Sequence, residues 1–150
     1  MYASDGYTFA ELMIVVAITV ILAAVAFVLL NPASQLASAR NTRRTADVSA
    51  IANAVGQNSA DNRGVFTCAA GALPTAATRM ATGTGNYNIA PCLVPAYLAT
   101  FPYDPTASGA RYASNADYDS AYTIMASTTT GIITVAAPFA ELGAAISVSR

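Results

Sequence analysis

The stretch Gly6-Tyr7-Thr8-Phe9-Ala10-Glu11-Leu12-Met13-Ile14-Val15-Val16-Ala17-Ile18, running on through Thr19 to Leu30, decides the architecture of this 150-residue chain. From Leu12 to Leu30 every residue but Thr19 is apolar. A helix over that run, rising ~1.5 Å per residue, is about 28 Å long and matches the hydrocarbon core of a bilayer. One carboxylate, Glu11, stands at its entrance. An acid in such surroundings is unfavourable by roughly 2.5–3.5 kcal/mol and calls for a partner.

Small residue, Thr, acid and apolar run in this register resemble the prepilin signature of type IV pilins and type II secretion pseudopilins. The resemblance covers about the first 30 residues; the rest is similar to the family only in layout. It implies that a prepilin peptidase cuts between Gly6 and Tyr7 and that the new terminal Tyr7 is N-methylated, where the family usually has Phe. Glu11 then falls fifth in the mature chain, and the freed amine is its expected partner during assembly. The fold implied is a long N-terminal helix backed by a small antiparallel sheet.

Two plainer interpretations compete. Ala37-Ser38-Ala39 offers a secretory cleavage site, which would make Arg40 the mature start. The run is longer than an ordinary signal core, and Met1 to Gly6 carries no Lys or Arg. Alternatively the run is a simple anchor, with Glu11 at the headgroup boundary. Charge adds a conflict, because Arg40, Arg43 and Arg44 follow the run and would hold the following domain in the cytoplasm. The resemblance implies the opposite orientation, which in the family is usually helped by Lys or Arg in the leader; this leader carries none, and a start upstream of Met1 would reconcile the two.

Composition points to a structural protein. Charged residues make up 10% and the formal net charge is −1, so no broad attraction to nucleic acid or anionic lipid is expected. His and Lys are both missing, which removes the commonest general base and metal ligand and the usual Schiff-base and phosphate-binding cation. No phosphate loop, nucleophile elbow or zinc spacing is present. An enzyme is not expected.

Beyond the run, Pro32 takes a donor from the helix and predicts a kink. Helical pattern resumes from about Ala33 to Asn58, with Val48, Ile51, Ala52 and Val55 forming one apolar stripe. If continuous from Thr8, the rod would measure about 75 Å. Arg43 and Asp47 are spaced for an i,i+4 pair. Arg40, Arg43 and Arg44 lack aromatic neighbours and are taken as a solvated or intersubunit face rather than a nucleic-acid footprint.

Ser59 to Thr100, rich in Gly, Pro, Ala and Thr, is expected to be one long ordered loop. Its Cys68 and Cys92 are the only cysteines. In an exported domain they are expected to form a disulfide, whose closure of roughly 25 residues stabilises by about 3.5 kcal/mol. Many major pilins carry their cysteine pair near the carboxyl terminus, whereas this pair is expected upstream of the strands. Tyr122–Ala126 and Ile132–Ala136 predict a hairpin, and Ile146–Ser149 a third strand. The helix stripe is the expected cover for one apolar sheet face.

Asn115, Asp117 and Asp119 are spaced like the first ligands of a calcium loop, but Ser120 and Ala126 stand where an EF-hand needs Gly and Glu. The resemblance to calcium-holding pseudopilins keeps these three as weak calcium candidates; no other cofactor is expected. The tyrosines Tyr97, Tyr103, Tyr112, Tyr118 and Tyr122 are expected half-buried with wet hydroxyls.

The expectation is an α+β chain: leader 1–6, transmembrane or filament-core helix 7–30, helix 31–58 continuing into the domain, and 59–150 as stapled loop plus antiparallel sheet. Its expected role is a homo-oligomeric pilin, held in the membrane with its domain outside until the peptidase and the pilus assembly machinery place it in an extracellular filament. A type II secretion pseudopilin is one alternative, and a membrane-anchored exported binding module is another of a different class.

Overall fold

Helix α1 (Phe9–Leu30) begins where Thr8, in extended backbone, caps the apolar run. The computed structural model describes residues 6–150; the rest of the expected leader lies outside them. Asn31, left-handed at φ 38°, ends α1, and Pro32 opens helix α2 (Pro32–Asp61). The expected interruption is thus centred on Asn31. Pro32 sits at the first helical position, where a missing N–H costs nothing, while the N–H groups of Ser34 and Gln35 donate back to the Asn31 carbonyl. The chain divides into two units that meet between Leu36 and Ala37.

The second unit is an α+β domain. Its strands are β1 (Thr78–Ala81), β2 (Arg111–Ser114), β3 (Asp117–Ala126), β4 (Ile133–Ala137) and β5 (Ile146–Ser149), with a one-turn helix α3 (Ala90–Leu93). They form one sheet, every observed pairing antiparallel, in the order β1-β3-β4-β5, with β2 pairing to the start of β3. The expected hairpin is β3–β4, with Ile124 opposite Val135, and the expected third strand is β5.

The predicted stripe on α2 does cover this sheet. Val48, Ile51, Ala52 and Val55 are buried against Met80, Tyr118, Tyr122, Ile124 and Val135. Each large apolar side chain in that layer contributes about 1.5–3 kcal/mol by leaving water.

Three expectations need correction. The Ser59–Thr100 segment is not all loop, since it holds β1 and α3, and the cysteines therefore bracket a strand. Thr-Arg-Met-Ala has little strand propensity of its own and is a strand because β3 lies beside it. Strand β3 also starts earlier than Tyr122, at Asp117. A bulge hides that start: Ala121 adopts φ 60° and the register against β1 shifts there. Finally, Tyr118 and Tyr122 are fully buried rather than half-wet.

Candidate functional site: a capped apolar helix and an arginine-clamped domain

At the start of α1, sequence and geometry meet in a capping box. Glu11 N–H donates to Thr8 Oγ1 at 3.2 Å, and the Glu11 carboxylate accepts from Thr8 N–H and Thr8 Oγ1 at 2.9 Å each. These bonds satisfy donors that a helix start leaves open, and the carboxylate lies at the favourable end of the helix dipole. Thr8 entered the sequence reading only as part of the prepilin-like motif; its capping role was missed, although Thr8-Phe9-Ala10-Glu11 carries the S/T-x-x-E signal. Tyr7, next to Gly6, is exposed.

Beyond the cap, α1 is apolar on every side, and none of its most apolar window is buried within the chain. Thr19 returns its hydroxyl to the Val16 carbonyl at 2.9 Å, so the only hydroxyl in the run is satisfied internally. Among the described residues one helix is therefore long and apolar enough to cross a membrane.

The arginines after the run form an internal clamp. Arg44 is completely buried, and its Nε and Nη2 donate to the two carboxylate oxygens of Asp104 at 2.7 and 3.1 Å. Its Nη1 donates to Asn41 and to Glu141, and Nη2 also donates to Thr106. Arg40 grips Glu141 with two bonds of 2.6 and 2.7 Å. Asn41 joins the same loop, accepting from Glu141 N–H and donating to its carbonyl. Two segments far along the chain are thereby fastened to one turn of α2. The expected solvated face holds only for Arg43, which is more than half exposed and approaches Asp47 at 3.8 Å.

Electrostatics follow from these contacts. Hydrogen bonds from Arg40, then Arg44, hold the Glu141 carboxyl down to about 2. Burial pushes Asp104 up, but bonds from Arg44 and from the N–H groups of Thr106 and Ala107 outweigh it, leaving a net lowering. Asp47 goes the other way: burial raises it more than the Tyr122 hydroxyl and Arg43 lower it. Tyr122, buried and donating to Asp47 at 2.9 Å, is raised in turn. Asp104 and Glu141 carry no local motif and could not be paired with Arg44 from spacing alone.

Cys68 and Cys92 form the expected disulfide, with Cα atoms 5.3 Å apart. Buried Asn58 braces it from α2, accepting from Thr67 N–H at 2.9 Å and donating to the Thr67 carbonyl at 3.2 Å. The weak calcium candidates are engaged elsewhere. Asp117 pairs with Arg111 and Asp119 with Arg79, while Asn115 bonds to Tyr112 and to the Val94 carbonyl. Among the described residues no cluster of three acidic, Cys or His side chains is arranged to hold a metal.

Comparison with protein-family models, with curated proteins and with solved structures finds no match.

Proposed function

We propose that this chain is a pilin-like structural subunit, stored in a membrane by α1 and assembled through the same helix into an extracellular helical filament. One observation carries the proposal: α1 is apolar on all faces, unburied by its own chain, and bears a single acid in its first turn. A helix of that kind requires an apolar surrounding, either lipid or other copies of itself. Exchange of lipid for a bundle of identical helices keeps the apolar surface dry throughout.

In this mechanism the capping box satisfies Glu11 within its own chain before assembly. Cleavage after Gly6 frees the Tyr7 amine, and the amine of a neighbouring copy then supplies the charge-assisted contact that sets axial register. Head-to-tail contacts of this type do not close and generate an open polymer. The disulfide supports an exported domain, and the folding role of Arg40 and Arg44 explains why basic residues follow the membrane run.

The test is to image sheared surface material and determine its terminal residue by intact mass. A filament whose subunit starts at methylated Tyr7 is expected. A subunit starting at Arg40, or a monomer retained in the membrane at full length, overturns the proposal.

A further inference from the structure

The chain has no Lys and seven Arg, all of them among the described residues. Five are tied down twice, by secondary structure and by an acid. Arg40, Arg43 and Arg44 lie within α2 and pair with Glu141, Asp47 and Asp104. Arg79 lies in β1 against Asp119, and Arg111 opens β2 against Asp117. Arg150 is the last residue of the sequence. Arg63 is different: it is exposed, and it stands in the turn that follows α2, directly before Gly64.

The geometry of that turn favours opening. Asp61 is the last residue of α2, and Gly64 N–H donates back to the Ser59 carbonyl at 2.7 Å. Between them Arg63 takes φ 61°. This is the left-handed place after a helix where Gly is usual, because a side chain is crowded there. From Ser59 to Phe66 no residue is buried, whereas Val55 and Asn58 just before them are. Phe66 touches the core and is itself only partly buried. The segment can therefore lift from the surface as a fraying helix end, without disturbing the α2 stripe. Beyond it the chain is fixed again, since Asn58 holds Thr67 by two bonds and Cys68 is in the disulfide.

We infer that Arg63–Gly64 is a processing site for an arginine-specific serine protease, the one bond at which such an enzyme cuts the folded domain. Proteases of this class seat the arginine side chain in an acid-floored pocket, and exposed turns of small and polar residues are where nicking concentrates. The step is hydrolysis. The bond between the Arg63 carbonyl carbon and the Gly64 nitrogen breaks, and water gives its hydroxyl to the carbon and a proton to the nitrogen. Both cysteines lie after the cut, so the disulfide does not bridge the two pieces. Helices α1 and α2 go with one piece and the whole sheet with the other. What joins them afterwards is the α2 stripe on the sheet, with the Arg44–Asp104 and Arg40–Glu141 pairs. The cut thus turns a covalent junction between the apolar helix and the sheet into a non-covalent one. It concerns the domain alone, so it stands or falls separately from filament assembly.

Limited digestion of the full chain with trypsin in detergent micelles, followed by intact mass without reductant, tests this. The first products expected are residues 1–63 and 64–150. They should elute together from a native sizing column and separate in an unreduced denaturing gel. Arg63→Gly removes the cation and suits the left-handed turn, so it should melt no lower than wild type and be cut at least about tenfold more slowly. Arg111→Gln should be cut as wild type is. The inference is overturned by a first cut at another arginine or by wild-type cutting of Arg63→Gly. Resistance of the folded chain at enzyme levels that digest the urea-unfolded chain also overturns it, as does separation of the two pieces on the native column.

Discussion

At the residue scale, buried Arg44 ties α2 to Asp104, Thr106 and Glu141. Its guanidinium and the Asp104 carboxylate are both sealed from solvent. Removing one member of such a pair strands the other charge, so Arg44→Met is expected to destabilise the domain by about 3–5 kcal/mol, read as a shifted urea midpoint. Arg44→Lys should recover little, because one ammonium cannot replace the two-pronged grip on Asp104. Glu141 makes a prediction about pH. Its folded-state value lies near 2 and its ordinary value near 4.5. Its contribution is therefore fully present above the ordinary value and is lost as pH falls towards the folded one. The lowered Asp104 acts in the same direction, and the raised Asp47 opposes both. In Glu141→Gln the loss of stability between about pH 4.5 and 2 should be shallower than in wild type, as measured by chemical unfolding at each pH. An unchanged slope would show that the Arg40–Glu141 contact is too loosely held in solution to bias protonation.

At the element scale, α1 and α2 illustrate two uses of a helix. In α2, apolar residues at helical spacing face the sheet, and Arg44 and Asn58 are buried beside them, so packing within the chain stabilises it. In α1 no face is preferred, and its stability must come from surroundings outside the chain. Thr8 and Glu11 then have separable roles. Glu11→Ala is expected to insert at least as well as wild type, since loss of an acid eases entry into lipid, yet to assemble poorly. Glu11→Gln should also assemble poorly, because shape is kept and charge is lost. Thr8→Val keeps the charge and removes the capping hydroxyl, which costs about 1 kcal/mol of helix start, and should reduce assembly less than either change at Glu11. The ratio of sheared filament to membrane-held subunit across the three variants checks this. Equal polymerisation by both Glu11 variants and wild type would reduce Glu11 to a capping residue.

At the scale of the whole molecule, the two units differ in what stabilises them. The unit from Ala37 onward has its own core, its own disulfide and its own buried ion pair. A chain beginning at Ala37 is expected to fold in water without detergent, with cooperative thermal unfolding, because every element of that core is retained. Replacing Cys68 and Cys92 by Ser in that fragment should lower its stability by about 3.5 kcal/mol if unfolded-chain entropy dominates. It should leave the β3–β4–β5 pairing intact, since the cysteines lie outside it. Circular dichroism with denaturant titration of both fragments measures this. Aggregation of the disulfide-containing fragment in water would show that the domain needs α1.

Local chemistry alone determined the apolar run, the acid at its entrance, the α2 stripe, the disulfide and the β3–β4–β5 strands. Each is written in periodicity, in a residue type or, for the disulfide, in there being just two cysteines to pair, and the α+β class follows from them. Tertiary structure alone decided what Arg40 and Arg44 do. A solvated and a buried arginine look identical in a helical sequence until Asp104 and Glu141 arrive from far along the chain. It likewise made a strand of Thr78–Ala81, which β3 recruits by hydrogen bonding rather than by propensity. It also neutralised Asp117 and Asp119, because cross-strand neighbours, and not sequence spacing, choose which charges meet.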